Sequence, residues 1–361
     1  MRQVMAPMSR EEGFTLPELL ISTAIVLMAL GGAMSAFISA VNLNQATTQL
    51  VDANQNLRAG TNLLIRDLLQ AARGIPTGGI PIPSGAGSQA ISRPSPPGLN
   101  YSFDNVNSDV LPALIAGAGL GPVIAGATTD MITILMTDPL LAPLSINTGL
   151  AGQATLAADG SSINIGGNAA WFAGDPLNGV FPVAPGNLLW ISNANGSTLQ
   201  TVTRTNPNTI FFDVADPIDR FNLNQPVAAQ GSVTQIVDNP MPQGLVTRVI
   251  MLTYYVDAVT APGTPRLTRV WNFGTPQALA GVVEDLDIAY DLVDGVTNPT
   301  GVVTFPFVLN GVTYSANQVR KVNLHIGVRS DVVSTQSNDF LRNHMQTSVS
   351  IRSLAFVDRY Q

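Results

Sequence analysis

The most apolar stretch of the chain lies close to its beginning. Leu19 to Val41 consists of 23 residues of Leu, Ile, Val, Ala, Met, Gly and Phe with a few Ser and Thr, and no charge follows before Asp52. As a helix this stretch is about 35 Å long, enough to cross a hydrocarbon core of about 30 Å. A helix that is apolar on every face is unusual in a soluble protein. The pattern therefore predicts a membrane helix.

The residues just before this stretch make it an unusual membrane helix. A short charged segment ends abruptly at Gly13, Phe14 follows, and Pro17 and Glu18 stand at the edge of the apolar run. An intramembrane carboxylate costs about 2.5–3.5 kcal/mol on insertion scales and indicates a function. A cut between Gly13 and Phe14 accounts for all of these features. Pro17 then falls in a first helical turn, where it is tolerated, and a new α-amine arises near Glu18.

A heptad-like stripe continues the helix beyond the apolar run. The leucines of the stripe recur at intervals of seven, with a small residue three positions after each of the first three: Leu43, Leu50, Leu57 and Leu64, with Ala46, Ala53 and Gly60. Gly74 and Pro76 are typical of a helix end. We therefore predict one helix from Phe14 to Arg73, in which 14–41 is the transmembrane and assembly part and 42–74 packs on a head. A self-associating coiled coil is the alternative interpretation of the stripe.

The remainder, 75–361, is predicted to be a β-rich head. Residues 75–129 are rich in Gly and Pro, and Ile80–Pro83 and Pro94–Gly98 read as loops. Strand patterns follow at Met131–Thr137, Leu188–Ser192, Leu199–Thr205, Thr209–Val214, Val233–Val237, Val246–Val256, Arg266–Phe273, Glu284–Leu292, Val302–Leu309, Val319–Arg329 and Ser348–Phe356. Asn310-Gly311 indicates a hairpin turn. With no second long helical pattern, the fold class is α+β: one long helix on an elaborated antiparallel sheet.

Composition narrows the function classes. Of the 361 residues, 45% are apolar and 11% are charged, compared with about 25% charged in an average soluble domain. The apolar fraction is too high for a largely disordered chain. The net charge is −7, Lys321 is the one lysine, and no basic residue occurs between Arg93 and Arg204. A nucleic-acid partner is therefore not expected, because phosphate binding needs clustered basic residues. The absence of Cys removes disulfides and thiolate chemistry.

The densest acidic cluster is the one candidate for a metal site. It comprises Glu284, Asp285, Asp287, Asp291 and Asp294. Asp285, Asp287 and Asp291 are weak candidates for a calcium site, since neighbouring carboxylates suit a hard cation. The EF-hand order of ligands is missing, however. The alternative is a solvated strand face, because apolar residues alternate with these carboxylates. The same alternation predicts that Lys321, Asn323, His325 and Arg329 point outward from the facing strand, where charge pairs across the two strands are ordinary.

Motifs for catalysis are missing from the sequence. His325 and His344 are the two histidines, and without Cys or an H-x-x-x-H pattern no zinc motif is present. Neither a G-x-S-x-G nor a P-loop pattern occurs. We therefore expect no catalytic residues, no enzyme activity and no cofactor.

The N-terminal pattern carries a family resemblance. Gly13-Phe14-Thr15-Leu16-Pro17-Glu18-Leu19-Leu20-Ile21 resembles the class III signal of type IV pilins and type II secretion pseudopilins. The resemblance implies that prepilin peptidase cuts after Gly13 and methylates the new N-terminal Phe14. It also implies that Glu18 neutralises the amine of a neighbouring subunit. The leader, 1–13, is less basic than is usual in that family, and a start at Met8 would shorten it.

The C-terminal third looks like the PilW family of minor pilins. The similar segments are Val246–Arg248, Tyr254–Asp257, Arg266–Arg269, Val283–Tyr290, Gln318–Val322 and Ser350–Leu354; residues 75–240 match no family. The resemblance implies a minor type IV pilin in pilus assembly or initiation. It would be single-pass in the inner membrane with a periplasmic head, then in a pilus or at the cell surface, with other minor and major pilins as partners. The alternatives are a minor pseudopilin of a type II secretion system, or a membrane-anchored periplasmic binding module or enzyme.

Overall fold

A computed structural model describes residues 13–147, 153–168, 170–175, 180–238, 242–334 and 337–354. Its longest element is helix α1, Leu16–Leu69, of 54 residues. The helix begins after Thr15, whose backbone is extended, and a turn at 70–74 follows it. Ala72 and Gly74 both have a positive φ, of 64° and 71°, so the chain leaves the helical conformation at this point. The helix is therefore shorter at both ends than the predicted Phe14 to Arg73.

The segment predicted to be Gly- and Pro-rich loop contains seven short strands. They are β1 Ile80–Pro81, β2 Ile91–Arg93, β3 Tyr101–Phe103, β4 Val110–Leu111, β5 Leu114–Gly117, β6 Val123–Ile124 and β7 Ala127–Thr128. The prediction of a loop at Ile80–Pro83 is wrong for its first half, since β1 pairs with β4. Ile80 and Ile82 are fully buried, and a two-residue pairing tolerates the proline that a long central strand would exclude. The Pro94–Gly98 segment is a loop, as predicted.

The middle of the head holds eight further strands and one short helix. They are β8 Met131–Thr137, β9 Leu144–Ile146, β10 Thr155–Leu156, β11 Ser162–Asn164, α2 Ala170–Ala173, β12 Leu188–Asn193, β13 Gly196–Thr201, β14 Arg204–Asn206 and β15 Thr209–Phe211. The bounds of β8 agree with the prediction. The predicted strand Val233–Val237 is wrong, because Val233–Gln235 forms a 3₁₀ turn. Its apolar residues Val233 and Ile236 are both buried, as a single helical turn allows.

The C-terminal part supplies the longest strands. They are β16 Gly244–Asp257, β17 Arg266–Trp271, β18 Gln277–Ala280, β19 Val283–Leu292, β20 Phe307–Leu309, β21 Val312–Tyr314, β22 Val319–Arg329 and β23 Arg342–Ser350. The turn at Asn310-Gly311 joins β20 to β21, as predicted. Of the strand predicted at Val302–Leu309, the last three residues form β20. The last strand, predicted at Ser348–Phe356, lies earlier in the chain, and residues 355–361 are outside the described part.

Two antiparallel sheets form the part of the head that contacts the helix. Strand β16 is the centre of an eight-stranded sheet: its first half pairs with β12 and β9, and its second half pairs with β17 and β8. Strands β19, β22 and β23 form a three-stranded sheet with β22 in the middle. Helix α1 packs against β18 of the first sheet and against β22 and β23 of the second. One long helix on antiparallel sheets confirms the α+β class.

The second half of α1 buries one face on the head. Leu57 and Leu64 of the predicted stripe are 2% and 0% exposed, whereas Leu43 and Leu50 are 58% and 38% exposed. The stripe thus contacts the head over its second half, since a seven-residue repeat drifts by about 20° per heptad on a straight helix. Gly60 marks the closest approach, because a Cβ there would lie 2.8 Å from the Ala280 Cβ on β18.

A buried polar contact fixes the end of α1 to the central sheet. Asp67 is 2% exposed, and its Oδ2 accepts hydrogen bonds from Tyr254 Oη at 2.5 Å and from Arg269 Nε at 2.8 Å. Tyr254 lies on β16 and Arg269 on β17, where the two residues are direct cross-strand partners. Burial and the Asp67 carboxylate raise the pKa of the Tyr254 hydroxyl far above its ordinary value. We call Asp67, Tyr254 and Arg269 the helix latch.

A second apolar cluster lies beyond the first half of β16. It contains buried residues of β9, β10, β11, β12 and β15, together with Trp171 of α2 and Val246 of β16. Arg248 of β16 is 4% exposed, and its Nε donates to Asp138 Oδ2 at 2.8 Å. Its Nη1 also donates to the Phe181 carbonyl at 2.7 Å. These contacts tie the second cluster to the central sheet, whose main cluster includes the buried residues of α1.

Candidate assembly site

The predicted cleavage point lies in an open segment of the chain. Gly13 and Phe14 precede the helix and belong to no helix or strand, Phe14 is 84% exposed, and no described atom beyond the chain neighbours of Gly13 lies within 4 Å of a Cβ built there. Residues 1–12 of the leader lie outside the described part. None of the described residues covers the Gly13–Phe14 bond, so the geometry at Gly13 is compatible with cleavage there.

Glu18 caps the helix to which it belongs. Its Oε2 accepts hydrogen bonds from the Thr15 backbone N–H at 3.0 Å and from the Thr15 hydroxyl at 2.8 Å. Pro17 lies in the first turn, as predicted. These contacts form a capping box, which satisfies an N-terminal donor that has no partner within the helix. Sequence reasoning missed this role of Glu18, although Thr followed three residues later by Glu is the pattern that predicts it.

The first half of α1 presents its apolar surface to no other part of the described chain. Its most apolar 18-residue window is long and apolar enough to cross a membrane by length and composition, and none of that window is buried. Leu16, Met28 and Phe37 are 75%, 78% and 65% exposed. The helix continues through Gly31-Gly32, and among the described residues no atom beyond the adjacent helix backbone lies within 4 Å of a Cβ built at either glycine. This surface requires a lipid or protein environment, because water would otherwise contact it along its whole length.

The acidic residues singled out in the sequence are spread along β19. Asp285 and Asp291 are six residues apart, which corresponds to about 20 Å along a strand, so the two cannot share one ion. The Oδ1 of Asp291 accepts hydrogen bonds from Asn323 Nδ2 at 2.9 Å and from the Gly301 N–H at 3.2 Å. Asp287 is exposed opposite His325. The surrounding protein still shields the carboxylate partly from water, and this desolvation, together with the negative charges of Asp285 and Asp130, raises the pKa of Asp287.

The facing strand β22 differs from the prediction at one residue. Lys321, Asn323 and His325 are partly exposed, in agreement with an outward face. Arg329 lies on the same face as His325, as predicted, but it is 8% exposed rather than solvated. Its Nε lies 2.8 Å from Glu284 Oε1, and its guanidinium lies 3.7 Å from the centre of the Phe340 ring. The ion pair and the ring contact compensate for the burial of the guanidinium charge.

The structure also brings together two histidines that are distant in sequence. His325 on β22 and His344 on β23 have ring centres 5.3 Å apart, and His325 Nε2 lies 3.4 Å from Asp285 Oδ2 on β19. Sequence reasoning treated both histidines singly, because the three residues belong to three strands. No motif of sequence spacing predicts this group, because the pairing register of the three strands brings its residues together.

A comparison with protein families identifies the N-terminal segment. Residues 8–34 match the family model described as the prokaryotic N-terminal methylation motif. No curated protein and no solved structure matches the chain. The matched segment contains Gly13, Phe14 and Glu18 and ends within the exposed apolar part of α1. The motif supports a type IV pilin-like or pseudopilin protein, implies processing by prepilin peptidase and association with pilins, and points to a structural protein rather than an enzyme.

Proposed function

We propose that this protein is a minor type IV pilin similar to the PilW family, which works in pilus assembly or initiation. The proposal rests chiefly on one observation: the methylation motif lies on a helix whose apolar half is uncovered. Prepilin peptidase would cut between Gly13 and Phe14 and methylate the Phe14 amine. The protein would first be held in the inner membrane with its head in the periplasm, and then join a pilus.

The uncovered half of α1 supplies the assembly surface. Within a bilayer, lipid chains cover this surface; in a filament, the equivalent helices of other pilins cover it. When the apolar half of α1 moves from the bilayer to the filament, it exchanges lipid contacts for equally apolar helix contacts. Close helix packing and polar contacts therefore decide whether the helices associate. The head follows rigidly, because the same continuous helix is fixed to the central sheet by the helix latch. A helix docked among its neighbours thus orients the head.

Glu18 supplies the polar contact in this proposal. A carboxylate in the membrane needs compensation, and in the free chain Thr15 provides it through the capping box. After cleavage, the methylated amine at the start of a neighbouring helix lies at a similar depth. An ion pair in surroundings of low dielectric constant is stronger than an exposed pair. A buried polar pair also sets the axial register of two helices. We therefore assign Glu18 a change of partner, from Thr15 to a neighbouring amine.

The assignment to the PilW family depends on the C-terminal third. The similar segments include parts of β16, β17, β19 and β22, so they belong to the two sheets against which α1 packs. A minor pseudopilin of a type II secretion system is the second candidate function, since it shares the processing signal and the long helix. The proteins that co-purify with the chain from its native membranes distinguish the two: pilins for the first, secretion-system components for the second. A membrane-anchored periplasmic binding module or enzyme is the third candidate.

The test separates the two roles of Glu18. Glu18→Gln keeps an acceptor for the capping box, because Gln also occurs at this position of the motif, but it removes the charge. Glu18→Ala removes both. If the charge binds a neighbouring amine, both variants are cleaved and inserted, and both recover much less of the other pilins on co-purification from membranes. Thr15→Ala is the matched control, since it removes a hydrogen bond of the cap and keeps the carboxylate.

The outcomes are distinct. Normal co-purification of Glu18→Gln with a deficit for Glu18→Ala would assign Glu18 to helix capping and contradict the pairing. Normal co-purification of both variants would contradict any assembly role for Glu18. If a variant remains uncleaved, the substitution has impaired recognition by the peptidase. The mature form of that variant is then expressed without residues 1–13, behind a cleavable secretion signal, and is compared in the same assay.

A further inference from the structure

From the geometry of the three-stranded sheet we infer a binding site for one divalent transition-metal ion, formed by Asp285, His325 and His344. The three residues lie on β19, β22 and β23, one on each strand. Each offers one ligand atom, and these atoms all lie within 4.8 Å of one another. The site lies on the outer face of the sheet, opposite the face that packs on α1, and is separate from the proposed assembly surface.

The strand register creates this group. Gly327 on the central strand β22 is the direct partner of Asp285 on one side and of His344 on the other. His325 is two residues before Gly327, so it lies on the same face of the sheet. The carboxylate and the two imidazoles therefore converge over a position that has no side chain.

Gly327 has a steric reason to be glycine. A Cβ built there would lie 2.9 Å from the Asp285 Cβ and 3.0 Å from His344 Nδ1. Its φ is not in the positive range, so the backbone conformation alone would accept any residue. A solvated strand face would ordinarily carry a β-branched or polar side chain at such a position. The space over Gly327 is thus what lets the side chains on its two sides approach each other.

The orientation of His325 fits a metal ligand. Its Nδ1 lies 3.0 Å from Gln346 Nε2 on β23, and its Nε2 faces Asp285. In metal sites a histidine commonly binds the ion through one ring nitrogen while a hydrogen bond at the other fixes the ring. Gln346 fills the second role here after rotation of its side-chain amide, which exchanges the nitrogen and the oxygen.

The ligand set selects the class of metal. Two imidazoles and one carboxylate suit Zn²⁺ and its neighbours Co²⁺, Ni²⁺ and Cu²⁺, whereas Ca²⁺ and Mg²⁺ prefer oxygen ligands. Bond lengths of about 2.0–2.2 Å place tetrahedral ligand atoms about 3.4 Å apart. The partly exposed side chains of Asp285 and His325, at 31% and 29%, and exposed His344 have the freedom to close that distance. A fourth position is left to water.

The experiment is a metal titration of the full chain in detergent micelles, purified without a polyhistidine tag. We expect Zn²⁺ to bind with one equivalent in calorimetry, and Co²⁺ to give visible absorption bands of a tetrahedral or five-coordinate site. His344→Ala and His325→Ala should each weaken Zn²⁺ binding by at least about tenfold. Loss of a residue that only hydrogen-bonds a metal ligand already costs about that much, and loss of a ligand itself should cost no less. Ser348→Ala, on the same face of β23, is the matched control and should bind as the unchanged chain does.

Gly327→Ala tests the space itself. Its methyl group occupies the gap and should abolish the Co²⁺ bands while both histidines remain; if this variant does not fold, the two histidine variants decide. Binding that is equal in the unchanged chain and in both histidine variants would mean adventitious surface binding and would overturn the site. Absence of a one-equivalent Zn²⁺ transition in the unchanged chain would overturn it as well.

Discussion

Replacement of Asp67 by Ala tests how the helix is held on the head. The substitution removes the acceptor of both Tyr254 Oη and Arg269 Nε and leaves the Arg269 charge in place, with its side chain 15% exposed. Breaking a buried ion pair by removing one partner costs about 3–5 kcal/mol. Because Arg269 retains some contact with water, we expect about 3 kcal/mol, the lower end of that range.

The assay is urea unfolding of the full chain in detergent, followed by tryptophan fluorescence. Trp271 reports locally, since it lies on β17 two residues after Arg269. Asp67→Ala should lower the midpoint with an unchanged slope. Tyr254→Phe is the matched control: it removes one donor, keeps the ion pair and should cost about 1 kcal/mol. Hydrogen exchange should rise in the 57–69 segment of α1 for Asp67→Ala.

A double variant identifies the cause of the loss. If the uncompensated Arg269 charge destabilises Asp67→Ala, then Asp67→Ala combined with Arg269→Met should recover most of the lost stability, because an apolar pair replaces a broken ion pair. An Asp67→Ala chain that unfolds within about 1 kcal/mol of the unchanged chain would refute the latch. A double variant less stable than Asp67→Ala would refute the explanation by charge.

Two further predictions concern the packing of the helix and a loop of the head. Leu64→Ala, at a fully buried position of α1, should lower the free energy of unfolding by about 2–5 kcal/mol in the same urea assay; equal stability would contradict the packing of this face. Hydrogen bonds from the Asn298, Val296 and Thr297 N–H groups and from Tyr314 Oη hold the pKa of Asp294 at about 2. This pKa is below the ordinary value of Asp. The ionised carboxylate of Asp294 therefore stabilises the folded state above about pH 4, and this stabilisation is lost as the pH falls toward 2. The midpoint difference between the unchanged chain and Asp294→Asn should therefore be present at pH 6 and shrink toward pH 2; a constant difference would contradict this.

Local signals explain why much of the fold could be predicted. Helix α1, Leu16–Leu69, lies within a few residues of its predicted ends, Phe14 and Arg73, because Pro17 marks a first turn and Gly74 follows a helix end. Strands β8 and β22 have the predicted bounds, Met131–Thr137 and Val319–Arg329. These elements carry their own apolar pattern, so little information from the rest of the chain is needed.

The errors arose where distant contacts decide the structure. Strand β1 exists through its pairing with β4, thirty residues away, and no local pattern distinguishes it from a loop. Strand β23 alternates weakly, because its inner face contains Asn343 and Thr347, and Asn343 bonds to Asn54 on α1. Its position was therefore predicted several residues too late in the chain.

Of the two candidate sites, one could be predicted from the sequence and the other could not. The processing and assembly residues form one contiguous motif, which can be read directly from the sequence. The group of Asp285, His325 and His344 depends on the register of three strands and on the absence of a side chain at Gly327. Sequence spacing contains neither, so that group emerges from the structure alone.

The measurement that tests the central claim most directly is the intact mass of the protein purified from its native membranes. We predict a chain that begins at Phe14 and carries one added methyl group, and Gly13→Ala should accumulate as the uncut precursor. Retention of 1–13 in assembled material, or an N-terminus other than Phe14, would contradict the assignment to the pilin-like proteins.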